Sequence, residues 1–173
     1  WVAQKCEPIE FDFNNYQNLT DEEIIKVEDL VNQYINEAHL VDTKVLPIDE
    51  AKKLGAMALF GEKYGDEVRV VKMGDFSVEL CGGTHVANTG VISAFKILSE
   101  TGVAAGVRRI EAITSEAVFR YYDSLEEELQ KAAQVVKAKP GNLIERLEHL
   151  MTEMKALQSE NESLKSKLAK DAL

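Results

Sequence analysis

Polar and apolar residues alternate along IEFDFN (9–14), and the period then lengthens. In LTDEEIIKVEDLVNQYINEA (19–38), Ile24, Val27, Leu30, Val31, Tyr34 and Ile35 recur at helical spacing. The first pattern predicts a strand and the second an amphipathic helix laid against a sheet. Thr20 stands three residues before Glu23, which predicts a capping box at the helix start. Strand chemistry returns in VDTKVLP (41–47), EVRVVKMG (67–74), FSVELC (76–81), VISAFKILSETGV (91–103) and GVRRIEAIT (106–114), separated by Gly, Asp and Asn turn signals. IDEAKKLGAMALFGEKYG (48–65) predicts a short helix stopped at Gly55 and then an irregular, glycine-punctuated loop. Strands and helices that do not alternate regularly predict an α+β fold, with a mainly antiparallel sheet and covering helices.

After Thr114 the strand pattern ends. Val118, Tyr121, Tyr122, Leu125, Leu129, Ala132, Ala133 and Val136 fall at helical spacing, with Ser115 as the expected N-cap. Lys139-Pro140-Gly141-Asn142 must break the helix, because Pro140 lacks a backbone donor and Gly141 suits a cap. Beyond it Leu143, Leu147, Leu150, Met154, Leu157, Asn161, Leu164 and Leu168 recur in alternating steps of four and three, the heptad pattern of a coiled coil. Asn161 occupies an a position, where a buried amide sets register at some cost in stability. The alternative is a helical hairpin, with 143–170 folding back on 115–138; both are expected in part, since the far end of the longer second helix would outrun the hairpin. The expected division is a globular domain over 1–114 and a helical, coiled-coil segment over 115–173.

Composition narrows the function. At 173 residues and 45% hydrophobic, the chain can bury a core. No apolar run reaches the length of a membrane span, and WVAQKCEPIEF lacks the tripartite pattern of a signal peptide, so a cytoplasmic protein without a membrane partner is expected. A net charge of -10 argues against a general nucleic-acid coat, which would need lysine and arginine to neutralise phosphates, so any nucleic-acid contact is expected to be local or shared with a part outside this chain. Two cysteines, Cys6 and Cys81, suggest thiol or metal-ligand roles rather than a disulfide framework.

The chemistry concentrates in ELCGGTHV (79–86), which holds Cys81 and His85 across a glycine pair. Taken alone, C-x-x-x-H is a weak metal signal and reads more readily as a buried cysteine beside a glycine turn. Its place at the end of a strand favours a site: Gly82 and Gly83 permit a sharp turn or a close ligand approach, and His85 returns to the space that Cys81 faces. Thiolate and imidazole suit zinc, which takes four ligands in structural sites and three plus water in catalytic ones. His39 at a helix end and His149 on the solvent face of the heptads do not complete such a set, and Cys6 lies in an uncertain segment. The sequence therefore holds half of a metal site.

GAMALFGEKYGDEVRVVKMGDFSVELCGGTHVANTG (55–90) and FKILSETGVAAGVRRIEAIT (95–114) closely resemble the editing domain of bacterial alanyl-tRNA synthetase. The resemblance extends over 9–138 and into the coiled coil beyond. It implies zinc held by Cys81 and His85 together with a His-x-x-x-His pair that would lie upstream of residue 1. It further implies hydrolysis of tRNA(Ala) mischarged with serine or glycine, with Cys81, Thr84, His85 and Gln4 as site residues. Gly82, Gly83, Arg108 and Arg109 would shape the tRNA-facing pocket. ATP and magnesium belong to a catalytic domain outside this chain. For Arg108 and Arg109 an ion pair with Glu111 or Glu100 competes with phosphate contact. Ser93 stands where the family commonly has glycine. Without the upstream histidines the isolated chain is expected to fold yet be nearly inactive. The alternatives are a free-standing alanyl-tRNA deacylase and a coiled-coil interaction module, self-associating through 143–168, with an inactive head.

Overall fold

A computed structural model describes residues 8–57 and 65–171. The elements run β1 (Ile9–Asn14), α1 (Asp21–Asn36), β2 (Val41–Pro47), α2 (Ile48–Lys53), β3 (Glu67–Met73), β4 (Ser77–Leu80), β5 (Phe95–Ala104), β6 (Val107–Thr114), α3 (Glu116–Val135) and α4 (Leu143–Asp171). The fold is α+β, and every strand pairing between these elements is antiparallel. Instead of one sheet, the described residues form two of three strands, ordered β1-β6-β5 and β2-β3-β4. The reason lies at β4, whose outer edge is taken by Met57. The Met57 N–H donates to Val78 O at 2.9 Å and Met57 O accepts from Leu80 N–H at 3.0 Å. The chain then leaves β4 through the Cys81–Asn88 loop, and β5 starts a second sheet.

Each sheet builds its own apolar cluster. Val68, Val70 and Leu80 meet Ala51 of α2, with Leu46, Ile48, Ala56 and Val78 around them. In the other sheet Ile97, Ile110 and Ala112 are packed by Phe13, Leu19, Ile24 and Phe95. Helix α1 begins at the expected box: Thr20 Oγ1 accepts from Glu23 N–H at 3.2 Å, and Glu23 Oε2 accepts from Thr20 N–H at 2.8 Å. Its packing is more polar than its apolar stripe predicts. Val27 and Leu30 remain well exposed, while Asn32 and Glu28 turn to β5. Asn32 Oδ1 accepts from Phe95 N–H and its Nδ2 donates to Phe95 O, both at 2.9 Å. Glu28 accepts from Ile97 N–H at 3.0 Å and pairs with Lys96. The cause is that β5 ends its sheet, so its outward amides and carbonyls need partners, which apolar side chains cannot supply.

Between the sheets the chain turns tightly. Ala94 N–H donates to Ile92 O at 2.8 Å, closing a three-residue turn with Ser93 at its centre, φ 68° and ψ -62°. This positive-φ γ-turn is strained for any residue with a Cβ. Ser93→Gly is therefore expected to stabilise the fold by about 1 kcal/mol, read as a raised midpoint in urea with an unchanged slope. Ser115 does not cap α3 in the extended conformation expected of it. At φ 55° it folds back, and its hydroxyl donates to Ile92 O at 2.9 Å, tying the start of α3 to the same turn.

The chain divides into two compact units between Phe119 and Arg120, inside α3. The first turn of α3 stays with the globular unit because Val118 is buried there. In the second unit α3 ends with Lys137 at φ 55°, and Ala138 N–H donates to Ala133 O at 2.9 Å. Pro140 then opens a 3-10 turn, Pro140–Asn142, that runs directly into α4. Gly141 lies within that turn and does not cap a helix. Burial in this unit is concentrated at the corner, at Ala133 and Leu143; Leu150 is half-buried, and the heptad side chains beyond it stay open, from 44% at Met154 to 69% at Leu168.

Candidate functional site

The Cys81–Asn88 loop starts where β4 ends and is fixed at both ends. At the first, Cys81 N–H donates to Arg69 O at 3.1 Å, extending the β3-β4 ladder by one residue. The Arg69 side chain, on the same face, sends Nη1 to Cys81 O at 2.9 Å and to Gly83 O. At the other end Asn88 Nδ2 donates to Ala38 O at 2.6 Å and its Oδ1 accepts from Gly90 N–H at 2.7 Å. Thr89 follows, only 4% exposed. Its hydroxyl donates to Tyr34 O at 2.8 Å and accepts from His39 N–H at 2.9 Å. The loop is thus held between β3 and the C-terminal end of α1.

These anchors bring Cys81 and His85 together. Measured from where a Cβ on Gly83 would stand, Cys81 Sγ lies at 3.5 Å and His85 Cε1 at 4.0 Å. Gly82 has open space around it. Neither glycine is among the residues at positive φ, so the turn does not demand glycine for its backbone. What the pair provides is room beside a thiol and an imidazole. His85 Nδ1 is buried and has no hydrogen-bond partner among the described residues. Burial first, then the charge of Arg69, pushes the His85 pKa below its ordinary value, so the ring is neutral at neutral pH. A neutral imidazole with a free nitrogen beside a thiol is a donor set that fits zinc. Among the described residues, no group of three or more His, Cys, Asp or Glu side chains is placed to hold a metal.

The other residues singled out in the sequence fall elsewhere. Thr84 is exposed on the same loop. Gln4 and Cys6 lie outside the described residues. His39 pairs with Glu37 at 2.6 Å and packs edge-on against Phe76, which itself stacks on Tyr34 at 3.8 Å. Gly74 leaves room for that ring, since a Cβ there would come within 2.9 Å of His39 Nδ1. His149 faces Glu153 on α4 at 3.4 Å. Arg108 directs Nε and Nη2 onto the Glu100 carboxylate, with both side chains nearly buried and Nη2 at 2.7 Å. This pairing holds Glu100 below the usual carboxylate range, and Gly102 opposite leaves space for the guanidinium. Arg109 forks onto Asp12 at 2.7 and 2.9 Å and reaches Glu10 at 2.5 Å. A cavity of about 240 Å³, lined by Asp42, Lys44, Leu46, Leu54, Val70, Lys72 and Val78, opens on the opposite face of the β2-β3-β4 sheet from Cys81.

Arg69 is the site residue that sequence reasoning missed. Its signal was a cation set between two valines, Val68 and Val70, one strand away from the Cys-Gly-Gly-Thr-His motif.

Residues 68–111, which carry this loop, match the family described as the threonyl and alanyl tRNA synthetase second additional domain. The relatives decide between the two enzymes. Alanine–tRNA ligase 1 of Lachnoclostridium phytofermentans is 63% identical over 96% of this chain. The alanine–tRNA ligases of Acetivibrio thermocellus and Geobacillus kaustophilus are 53% and 52% identical over 95% and 93% of it. The chain belongs to the alanine–tRNA ligase family as a segment, spanning 18–19% of the length of these curated relatives. Among the described residues no helix is long and apolar enough to cross a membrane.

Proposed function

We propose that this segment hydrolyses the ester of tRNA(Ala) mischarged with serine or glycine, within an alanine–tRNA ligase that joins alanine to its tRNA using ATP. The observation that carries the reading is the meeting of Cys81 and His85 beside Gly83, with an unpartnered, buried imidazole nitrogen. The chemical need is general. A pocket shaped for alanine rejects glycine and serine poorly by binding alone, so a second, hydrolytic site restores fidelity. Cys81 and His85 would hold zinc, with further ligands from outside the described residues. Zinc bound there would supply a Lewis acid and a water of lowered pKa.

The chain's own residues then set access and orientation. Gly82 and Gly83 leave a side-chain-free approach for the aminoacyl ester, and Thr84 faces solvent where the substrate would enter. Arg109, a third exposed and held at the sheet surface by Asp12 and Glu10, is the better placed of the two arginines to meet a phosphate. Arg108 is committed to Glu100. The test is Gly83→Val in the full-length ligase: its methyls would occupy the gap between Cys81 and His85. Hydrolysis of seryl-tRNA(Ala) is expected to fall by about two orders of magnitude, with alanylation unchanged. Full hydrolysis by this variant would overturn the reading.

The partner reading rests on a separate observation, the open heptad side chains of α4 from Met154 to Leu168. With Asn161 at a, Glu160 takes the g position before it and Lys165 the e position after it, a complementary pair across a parallel, in-register dimer. Asn161→Leu is expected to tighten association and broaden the mixture of oligomers, measured by sedimentation. Identical mass for both proteins at all concentrations would show that the seam is not self-associating.

A further inference from the structure

We infer that Arg69 is a positioning residue of the editing site, fastening the Cys81–Gly83 turn so that the thiol and the imidazole face one space; this rests on the function proposed above. Both backbone groups of Cys81 end on this one residue: its N–H donates to Arg69 O at 3.1 Å and its C=O accepts from Arg69 Nη1 at 2.9 Å. The same Nη1 also donates to Gly83 O, so one guanidinium nitrogen draws together two carbonyls that stand two residues apart.

The turn needs such a fastening. Gly82 has no side chain and meets nothing within 4 Å where one would be, and Gly83 likewise has no side chain to restrict its backbone. Two adjacent glycines have the widest conformational freedom of any dipeptide, and their entropy opposes a single geometry. Arg69 itself is well fixed. It lies in the centre strand of its sheet between buried Val68 and Val70, paired with Val45 of β2 on its other side. The planar guanidinium carries a rigid array of donors, whereas an ammonium on a flexible stem would hold the carbonyls less firmly.

The test compares Arg69→Gln and Arg69→Lys with Cys81→Ala in the full-length ligase. For Arg69→Gln the kcat for hydrolysis of seryl-tRNA(Ala) is expected to fall about 10- to 100-fold, the range for groups that orient metal ligands. KM, alanylation and Tm should stay near their original values. In metal-stripped protein, alkylation of Cys81 by iodoacetamide, mapped by peptide, should accelerate severalfold as the turn loosens. Arg69→Lys should recover part of the kcat. Unchanged kcat and unchanged Cys81 alkylation in Arg69→Gln would overturn the inference. If that variant fails to fold, Arg69→Lys decides: reduced kcat at normal Tm supports the inference and full kcat overturns it. A Cys81→Ala enzyme that still hydrolyses the ester would instead remove the functional reading. Loss in Cys81→Ala with full activity in Arg69→Gln would remove this inference alone.

Discussion

Cys81→Ala and His85→Ala, each made in the full-length ligase, should reduce hydrolysis of seryl-tRNA(Ala) by about 100-fold or more while alanylation continues at its normal rate. Each substitution removes one of two donors that the fold has brought to the same space, and neither removes apolar packing from either core cluster. The globular unit should therefore keep its Tm. Zinc content, measured by mass spectrometry after dialysis, should fall in both variants together, since a four-coordinate site that loses a ligand competes poorly with buffer. The measurement to make is accumulation of seryl-tRNA(Ala) when serine is supplied with alanine. If both variants clear the mischarged product as fast as the parent, the site is elsewhere.

The second large effect is on stability. Thr89→Val replaces a buried hydroxyl by a methyl of nearly the same shape, which keeps the packing and deletes two hydrogen bonds. His39 N–H and Tyr34 O are then left without that partner close to the end of α1. The expected loss is about 2 kcal/mol, visible as a lower urea midpoint. Because Thr89 follows directly on the loop carrying Cys81 and His85, editing should weaken as well, although no atom touching substrate has changed. An unaltered midpoint would mean that water replaces the hydroxyl at both groups.

Periodicity made the strands, the α1 capping box and the break before α4 legible, because each depends on local spacing. The Cys81 and His85 pair was legible through chemistry: two scarce ligand types lay four residues apart at a strand end. The division into two sheets was not legible, because it depends on Met57 occupying the β4 edge, a long-range pairing with no local signature. The same limit hid the roles of Asn32 and Glu28. A helical stripe counts apolar residues, and these two side chains answer the backbone of a strand more than sixty residues away. Arg69 escaped for a related reason, since its targets are carbonyl oxygens that any sequence would possess.

The contact between α1 and β5 also bears on how the chain emerges during synthesis. A strand at the rim of a sheet is a template for pairing with another molecule, and newly made chains at high local concentration are the most exposed to that error. Here Asn32 and Glu28 are made before Phe95 and Ile97, so the cover for β5 can already be wound when the strand leaves the ribosome. Moving α1 behind β6 by circular permutation would reverse that order, leaving the rim bare for as long as translation takes to reach the helix.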